Sequence, residues 1–489
     1  MNHVLNILQN TALTYKQQLL QLAGQAENTL QVLNIDGDTQ ELLNKNIICS
    51  MFEGNAPYRP RYIIPDYEKL LSEGCSFLDL QPPEDIWEAT NNLLIFYNHV
   101  PSITSFPVFL GNLDSLLNPF IKDEKEAYRA ITLFLKHVER VFTDSFVHAN
   151  IGPYETKAGK ILLQVMDELQ SDIPNLTLKY DKEKTSEEFL ELCLKNAMNG
   201  SKPSFANHKV FTEDFGTEKY AIASCYNGLL IGGGGHTLVR LVLSRLAQDS
   251  ENREDFLEKK LPYAAKKMLG YMDERIRFLT EDTSFFKTNF LVQEKFINKE
   301  LFKGMFGIVG LAEAVNHILQ LENREGRFGH CQEADQLGLL ITKKLHELVK
   351  NHGDHIILHA QVGIDTDTGI SPGCRIPVGE EPEIFRHIIQ SAPFHQYFPS
   401  GIGDIFVFEE TYKKNLSALG NIVDGAFSSG MRYLSLYGSD CDVVRVTGYL
   451  VKKSQVEKLE KGEAVKNNST VFGMGAKNGS RAFDRKLRG

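Results

Sequence analysis

The sequence predicts an α/β protein, and three observations carry that reading. From Lys157 onward, helical and strand-like patterns alternate. Lys157–Leu169 has apolar residues at helical spacing, Asn175–Tyr180 alternates as a strand, and Thr185–Met198 is helical again. Alternation of this kind layers helices on a sheet and argues against separate all-α and all-β parts. The chain is also long enough for a large core, with 489 residues of which 42% are hydrophobic. Finally, no repeat, low-complexity linker or shift of composition marks an internal boundary, so residues 1–489 read as a single domain.

Taken in order, residues 1–150 are mostly helical in pattern, over Asn2–Leu33, Pro83–Val100 and Lys122–Phe142. The proline-rich stretch Gly54–Tyr62 separates the first two. Its Arg59 and Arg61 suit either an anionic substrate group or acidic side chains of the same fold. Residues 151–440 hold the alternating part. There Tyr220–Ile231 predicts a strand that runs into a loop carrying Cys225, followed by the run Gly232–Gly235 and a helix over Leu238–Leu246. With Thr237 as N-cap, that helix would aim free N–H groups at an anion, which makes Gly233 and Gly234 candidates for holding a phosphate or carboxylate. A tight turn is the plain alternative. The run has neither the lysine of a P-loop nor G-x-G-x-x-G spacing, so a nucleotide site is not indicated.

Asn252–Thr280 and Asn298–Gln320 predict long helices, the second containing Gly307 to Glu313. Cys331–Lys350 predicts a helix and Ile356–Gln361 a strand. The loops Gly369–Val378 and Gly401–Phe406 are dense in Gly and Pro, as site-bearing loops on a rigid scaffold often are. They offer Cys374, Arg375 and Asp404, with His395 just before; His395 and Asp404 suit acid–base or structural roles, and Arg375 suits a substrate anion. Asp442–Val451 predicts a strand interrupted by Gly448, where a bulge is the ordinary explanation of a glycine.

Charge excludes several functions. The 63 acidic and 53 basic residues give −10 and a pI near 5.8, with no footprint for nucleic acid or an anionic membrane. No apolar run reaches spanning length, and Met1–Leu5 leads into a polar helix without signal-peptide character. The seven cysteines are scattered without a C-x-x-C pair, which reads as free thiols in a reducing cytoplasm. No disulfide framework and no tightly bound metal are expected.

Two residues suggest radical chemistry. Only glycine has an α-carbon that can lose hydrogen, flatten and delocalise into both flanking amides without crowding from a Cβ. A hydrogen-atom relay needs a neutral thiol in a dry setting. Ile222, Ala223, Ser224 and Tyr226 supply neither base nor cation to Cys225, which suits a relay better than a nucleophile.

Arg445-Val446-Thr447-Gly448-Tyr449 resembles the R-V-[ST]-G-Y radical motif of the glycyl radical enzymes, and it lies near the C-terminal end, as theirs does. Gly307-Ile308-Val309-Gly310-Leu311-Ala312-Glu313 resembles a segment of the anaerobic (class III) ribonucleotide reductases, which are members of that group. The cysteine loop, Gly54–Tyr62 and Ser371–Gly379 most resemble the YjjI-type glycyl radical enzymes. The resemblance implies a ten-stranded α/β barrel wrapped in helices, with the cysteine loop in 151–440 and the radical loop and tail in 441–489. It implies an oxygen-sensitive radical on Gly448, set in the Arg445–Tyr449 motif and installed by a separate S-adenosylmethionine iron–sulfur activase. Cys225 would be the thiyl relay, with Cys374 its rival, and Glu313 a substrate contact. A homodimer acting on a small molecule completes the expectation.

The sequence departs from the better-known reactions of that group. Ser224 stands beside Cys225 where pyruvate formate-lyase has a second cysteine. Asn227 stands at the glutamate position of the G-C-x-E dehydratases and lyases, and the zinc-binding cysteine pairs of the class III reductases are missing. Three readings stay open: a radical enzyme on a small, oxygenated or anionic substrate; a reductase-like radical enzyme on a nucleotide or sugar; and a non-catalytic α/β protein with a bulge at Gly448.

Overall fold

The structure, a computed structural model, describes residues 3–10, 13, 15–50, 53–102, 107–141, 146–224, 226–360, 370–467, 469–479 and 481–489. Asn2, Phe142, Gln361 and Gly369, each an end of an expected element, lie outside these residues, as does Cys225.

Sixteen strands are described: β1 Ile48–Cys49, β2 Tyr62–Ile64, β3 Phe109–Asn112, β4 His148–Ile151, β5 Asn175–Tyr180, β6 Ser204–Asn207, β7 Tyr220–Ala223, β8 Asn227–Leu230, β9 Gly233–Val242, β10 Phe302–Val309, β11 Ile356–Ala360, β12 Asp404–Phe408, β13 Tyr433–Gly438, β14 Val443–Arg445, β15 Leu450–Lys452 and β16 Leu487–Arg488. In one sheet, β9, β10 and β11 run parallel, with β1 and β2 antiparallel on β9. The other has the order β16-β12-β13-β6-β5-β4-β3, parallel throughout except at β13/β6. The two arcs approach where Ala360 N, ending β11, donates to Gly401 O at 3.0 Å on the way into β12.

Helices carry the chain back between parallel strands: Lys157–Leu169 joins β4 to β5, and Glu187–Gly200 joins β5 to β6. The Lys157–Leu169 helix and the Asn175–Tyr180 strand fall where the sequence predicts them. The helices Leu261–Arg277, Leu311–Leu321 and Gln332–His352 bury apolar faces, with Met268, Val315 and Ile341 packed in one core with Phe306 and Leu358 of β10 and β11.

Four expectations change. Residues 1–150 are helical over His3–Gln9, Tyr15–Asn28, Ile86–Asn98 and Glu124–Val141, but they also supply β3 and most of β4 to the larger sheet. The glycine run opens strand β9, and the helix expected over Leu238–Leu246 is confined to Leu243–Gln248. Gly307 likewise sits in strand β10, and only after Gly310, at φ +74°, does the helix Leu311–Leu321 begin. Both segments are glycine-rich because neighbouring chain presses on them: a Cβ at Gly234 would fall on the Tyr62 carbonyl oxygen, and one at Gly304 would crowd Ile356 and Ile276. Lastly, Asp442–Val451 turns back on itself as the hairpin β14–β15.

Candidate active site

Gly448 lies buried in the turn of that hairpin. The pairs Val443–Lys452, Val444–Val451 and Arg445–Leu450 zip the arms, and Val446 N donates to Tyr449 O at 3.0 Å. Arg445 is wholly buried and donates from Nη2 to Asn175 Oδ1 (2.8 Å) and Ser201 O (3.3 Å). Asn175 spends its own amide hydrogen on the carbonyl oxygen of Gly448, at 3.0 Å. The Tyr449 ring packs 5.3 Å from that of Phe146. From the C-terminal segment, Arg485 donates to the carbonyl oxygens of Arg445 (3.0 Å) and Val446. The tail therefore packs on the Gly448 loop. The Gly448–Tyr449 peptide is thus tied through its carbonyl to a fixed donor, the carbonyls of Arg445 and Val446 are tied to Arg485, and the turn is buried.

The cysteine loop is the tip of the hairpin β7–β8. Cys225 itself is not described, but its flanks are, and they are tightly held. Ser224 adopts φ +57°, and its carbonyl accepts from His148 Nδ1 at 3.1 Å. Tyr226 donates its hydroxyl to Ala360 O at 2.6 Å, and Asn227 Nδ2 donates to Ala223 O at 2.9 Å. Asn150 braces the stem by exchanging two 2.8 Å hydrogen bonds with the Ile222 backbone. Burial, together with the Arg445 charge, lowers the His148 pKa to about 3, so the ring is neutral at physiological pH. A neutral imidazole has one N–H, and the Ser224 carbonyl can only accept. Nδ1 therefore carries the hydrogen, and Nε2 accepts the Thr177 hydroxyl at 2.7 Å.

These two loops are held by one pair of residues. His148 opens β4, Asn175 opens β5, and the two are direct partners in the ladder. Neighbouring strands lie about 4.8 Å apart. One of them thus grips the residue before Cys225 and the other grips Gly448. Neither His148 nor Asn175 is among the residues that sequence reasoning singles out. The signal was present: His148 and Asn150 on β4, and Asn175, Thr177 and Lys179 on β5, recur at period two in strands buried throughout. A parallel strand buried on both faces is ordinarily apolar. Polar residues on one face of such strands mark an interior with work to do.

Arg375 joins the same neighbourhood. Its guanidinium stands 5.5 Å over the Tyr226 ring, Nε donates to Gly403 O at 2.5 Å, and Asp404 Oδ1 lies 3.9 Å away. Its Nη1 is buried and, among the described residues, has no hydrogen-bond partner. Asp404 and His395 are buried in a structural network through Ser391, which His387 and Arg432 extend.

The remaining candidates are held by other elements. Glu313, in the first turn of the helix that follows β10, accepts from Ser371 N (2.8 Å) and Oγ (2.7 Å). Burial raises its pKa, and its second oxygen has no partner among the described residues. Gly233 and Gly234 are committed to β-pairing with Ile64 and Ile63, and the helix N-terminus that would have made them an anion site is not there. Cys374 is buried against Thr342 in the helix-packed core, where burial pushes its thiol well up. Arg59 and Arg61 pair with Glu27 and Glu53 of the same fold.

Comparison with known proteins is decisive on kinship. The chain matches the family described as "Glycyl radical enzyme YjjI-like" over residues 13–488. It belongs to the YjjI-like glycyl radical enzymes. An uncharacterized protein of Haemophilus influenzae is 46% identical over 99% of this chain and 97% of its own. The uncharacterized protein YjjI of Escherichia coli K12 is 40% identical over 99% and 95%. Among solved structures, an anaerobic ribonucleotide reductase superposes with a TM-score of 0.72 at 12% identity, covering 90% of this chain and 87% of that one. The B12-independent glycerol dehydratase of Clostridium butyricum gives 0.70 at 12%, covering 93% and 82%. This YjjI-like chain therefore has the glycyl radical enzyme fold and is an enzyme of that kind. Its hydrogen-bonded ladders trace the strands as two arcs.

Proposed function

We propose that Gly448 carries the radical and that Cys225 relays it to a small, oxygenated or anionic substrate. Cys225 gives its S–H hydrogen to the Gly448 α-carbon. The resulting sulfur radical then takes a hydrogen atom from a substrate C–H and leaves a carbon radical to rearrange. Each step exchanges one hydrogen atom and one unpaired electron and needs no other reactant. The observation that carries this reading is the His148–Asn175 pair, which holds Ser224 and the Gly448 carbonyl from adjacent strands. The Nη1 of Arg375, without a hydrogen-bond partner among the described residues and close to the ring next to Cys225, supports an anionic group on the substrate. The surrounding residues serve to orient the reacting groups and exclude water.

Glycyl radical enzymes in general depend on a separate activating enzyme. For this chain we place an S-adenosylmethionine iron–sulfur activase in that role, acting on a cytoplasmic homodimer. The second reading, a reductase-like enzyme on a nucleotide or sugar, draws on Glu313, whose second oxygen, without a partner among the described residues, would suit a substrate hydroxyl.

Anaerobic activation followed by electron paramagnetic resonance tests the proposal. The wild type and Cys225→Ser should both show the Gly448 signal, while only the wild type consumes substrate in a screen of small carboxylates and polyols. Loss of turnover in Cys374→Ser, with full activity in Cys225→Ser, would transfer the relay to Cys374. Absence of any organic radical after activation would leave the bulge reading of Gly448.

A further inference from the structure

Beside β11, at the edge of the β9–β11 sheet, three ligand-type side chains converge that the proposed chemistry does not use. Asp273 lies in the helix Leu261–Arg277. His352 ends the helix Gln332–His352, and His355 stands three residues later, just before β11. His352 Nε2 lies 2.8 Å from Asp273 Oδ2, and His355 Nε2 lies 2.8 Å from Asp273 Oδ1. The two rings are 5.6 Å apart, and the three ligating atoms all fall within 4.8 Å of one another.

We propose that Asp273, His352 and His355 form a binding site for a divalent transition metal, zinc in the first instance. Two imidazole nitrogens and a carboxylate suit zinc, which binds at about 2.0–2.2 Å and favours four ligands. A carboxylate only accepts, so in the ion-free protein both Nε2 atoms carry the ring hydrogens. Moving each hydrogen to Nδ1 of its own ring exposes two lone pairs toward the same carboxylate, with no net change in protons. A tetrahedral ion at those bond lengths holds its ligand atoms about 3.3–3.5 Å apart, so the two nitrogens draw together while the N···O contact to the ligating oxygen opens by about 0.5 Å. Half-exposed side chains can make that adjustment by rotation, and the ion reaches them without any opening of the fold.

The backbone beneath the site is anchored. His355 O accepts from Gly304 N of β10 at 2.7 Å, and Asp354 O accepts from Lys303 Nζ at 2.7 Å. That ammonium, held on the carbonyl, is the nearby cation an incoming ion would meet, and the Asp273 charge opposes it. A bound ion would tie the helix Leu261–Arg277 to the corner where the helix Gln332–His352 turns into β11. Sequence reading passes over the site because Asp273 is 79 residues from His352, and H-x-x-H alone lacks a third ligand.

The test uses the whole chelator-treated chain and zinc itself. Calorimetric titration of the wild type should show one equivalent bound, with cobalt giving the visible bands of a low-symmetry nitrogen–oxygen site and magnesium not competing. His352→Gln or His355→Gln should each weaken zinc at least about tenfold. The triple variant with Asp273→Asn should lose the equivalent and the cobalt bands, while its circular dichroism stays native. Zinc stoichiometry unchanged in the triple variant, or no zinc bound by the wild type, overturns the proposal. Should the triple variant misfold, the His355→Gln titration decides, since that side chain is exposed.

Discussion

Asn175 donates its side-chain amide hydrogen to the Gly448 carbonyl across 273 residues of sequence, while the oxygen of the same amide receives Arg445. One neutral side chain thus reads both the arginine and the glycine of the radical motif. An amide suits this place because it can donate and accept at once, which neither a carboxylate nor an aliphatic group can do.

Asn175→Asp separates the two duties. The carboxylate still accepts from Arg445 but can no longer donate to Gly448. The expected outcome is a several-fold lower spin count per chain, or a several-fold faster decay of the radical, with near-normal folding. Asn175→Ala removes both partners and should also cost about 1–3 kcal/mol of stability. Paramagnetic resonance of anaerobically activated protein, beside urea unfolding, measures the two. An Asp variant with wild-type radical yield and lifetime would show that the donor is dispensable.

The glycine run should respond as a packing feature. In Gly234→Ala the new methyl meets the Tyr62 carbonyl oxygen and lies 2.6 Å from the Phe302 ring; in Gly233→Ala it meets backbone at Leu301. Overpacking of this sort costs about 1–3 kcal/mol. Thermal unfolding should therefore show a clear fall in Tm for both variants, while substrate affinity in the surviving folded fraction is unchanged. Weakened binding at unaltered Tm would restore an anion-holding role.

Acid should destabilise the protein through its buried histidines. Burial lowers His148 to about 3, and His236, His359 and His395 are lowered to about 3 in the same way. An unfolded histidine titrates near 6.5. Below that pH the unfolded chain binds protons that the native ring refuses, so stability is intact above about 6.5 and falls by roughly 1.4 kcal/mol per pH unit per histidine. Asp114, held up to about 6 by burial, works in the opposite sense over part of the range, as do Asp172, Glu313 and Asp335, which burial also raises, so the histidine contribution is read by difference. His148→Gln, which can still donate to Ser224 and accept from Thr177, should flatten the pH dependence of the urea midpoint between pH 6 and 5 by one proton's worth. An unchanged slope would mean that His148 is charged in the native state.

Dioxygen supplies a test of Gly448 that needs no substrate. Activated protein exposed to air should be cut between Thr447 and Gly448, giving a short piece that runs to Gly489. Gly448→Ala should show neither radical nor cut. Mass spectrometry distinguishes this from proteolysis, which would cut unactivated protein equally well. An intact chain after air exposure, despite a measured organic radical, would place the radical elsewhere.

What could be read from the sequence was local. Lys157–Leu169 and Asn175–Tyr180 declare themselves because their periodicity is set by residues a few positions apart. The motif at Gly448 and the cysteine loop are likewise contiguous. The strands β9 and β10 were hidden because Gly233–Gly235 and Gly304–Gly307 owe their residues to Tyr62, Leu301 and Ile356, partners that only tertiary packing supplies. His148 and Asn175 carry no motif at all. Their significance lies in a ladder register and in contacts 76 and 273 residues away.

The hairpin around Gly448 has a practical consequence. A break at its turn severs the covalent chain, yet the arms β14 and β15 stay paired on either side, and Arg485 of the shorter piece still grips the carbonyl oxygens of Arg445 and Val446 on the longer one. The fragments should remain annealed. Molecules spoiled by air would then travel with sound ones through every native separation and part from them only in denaturant. A preparation homogeneous by gel filtration can accordingly be largely dead, and its quality is better judged from a denaturing gel.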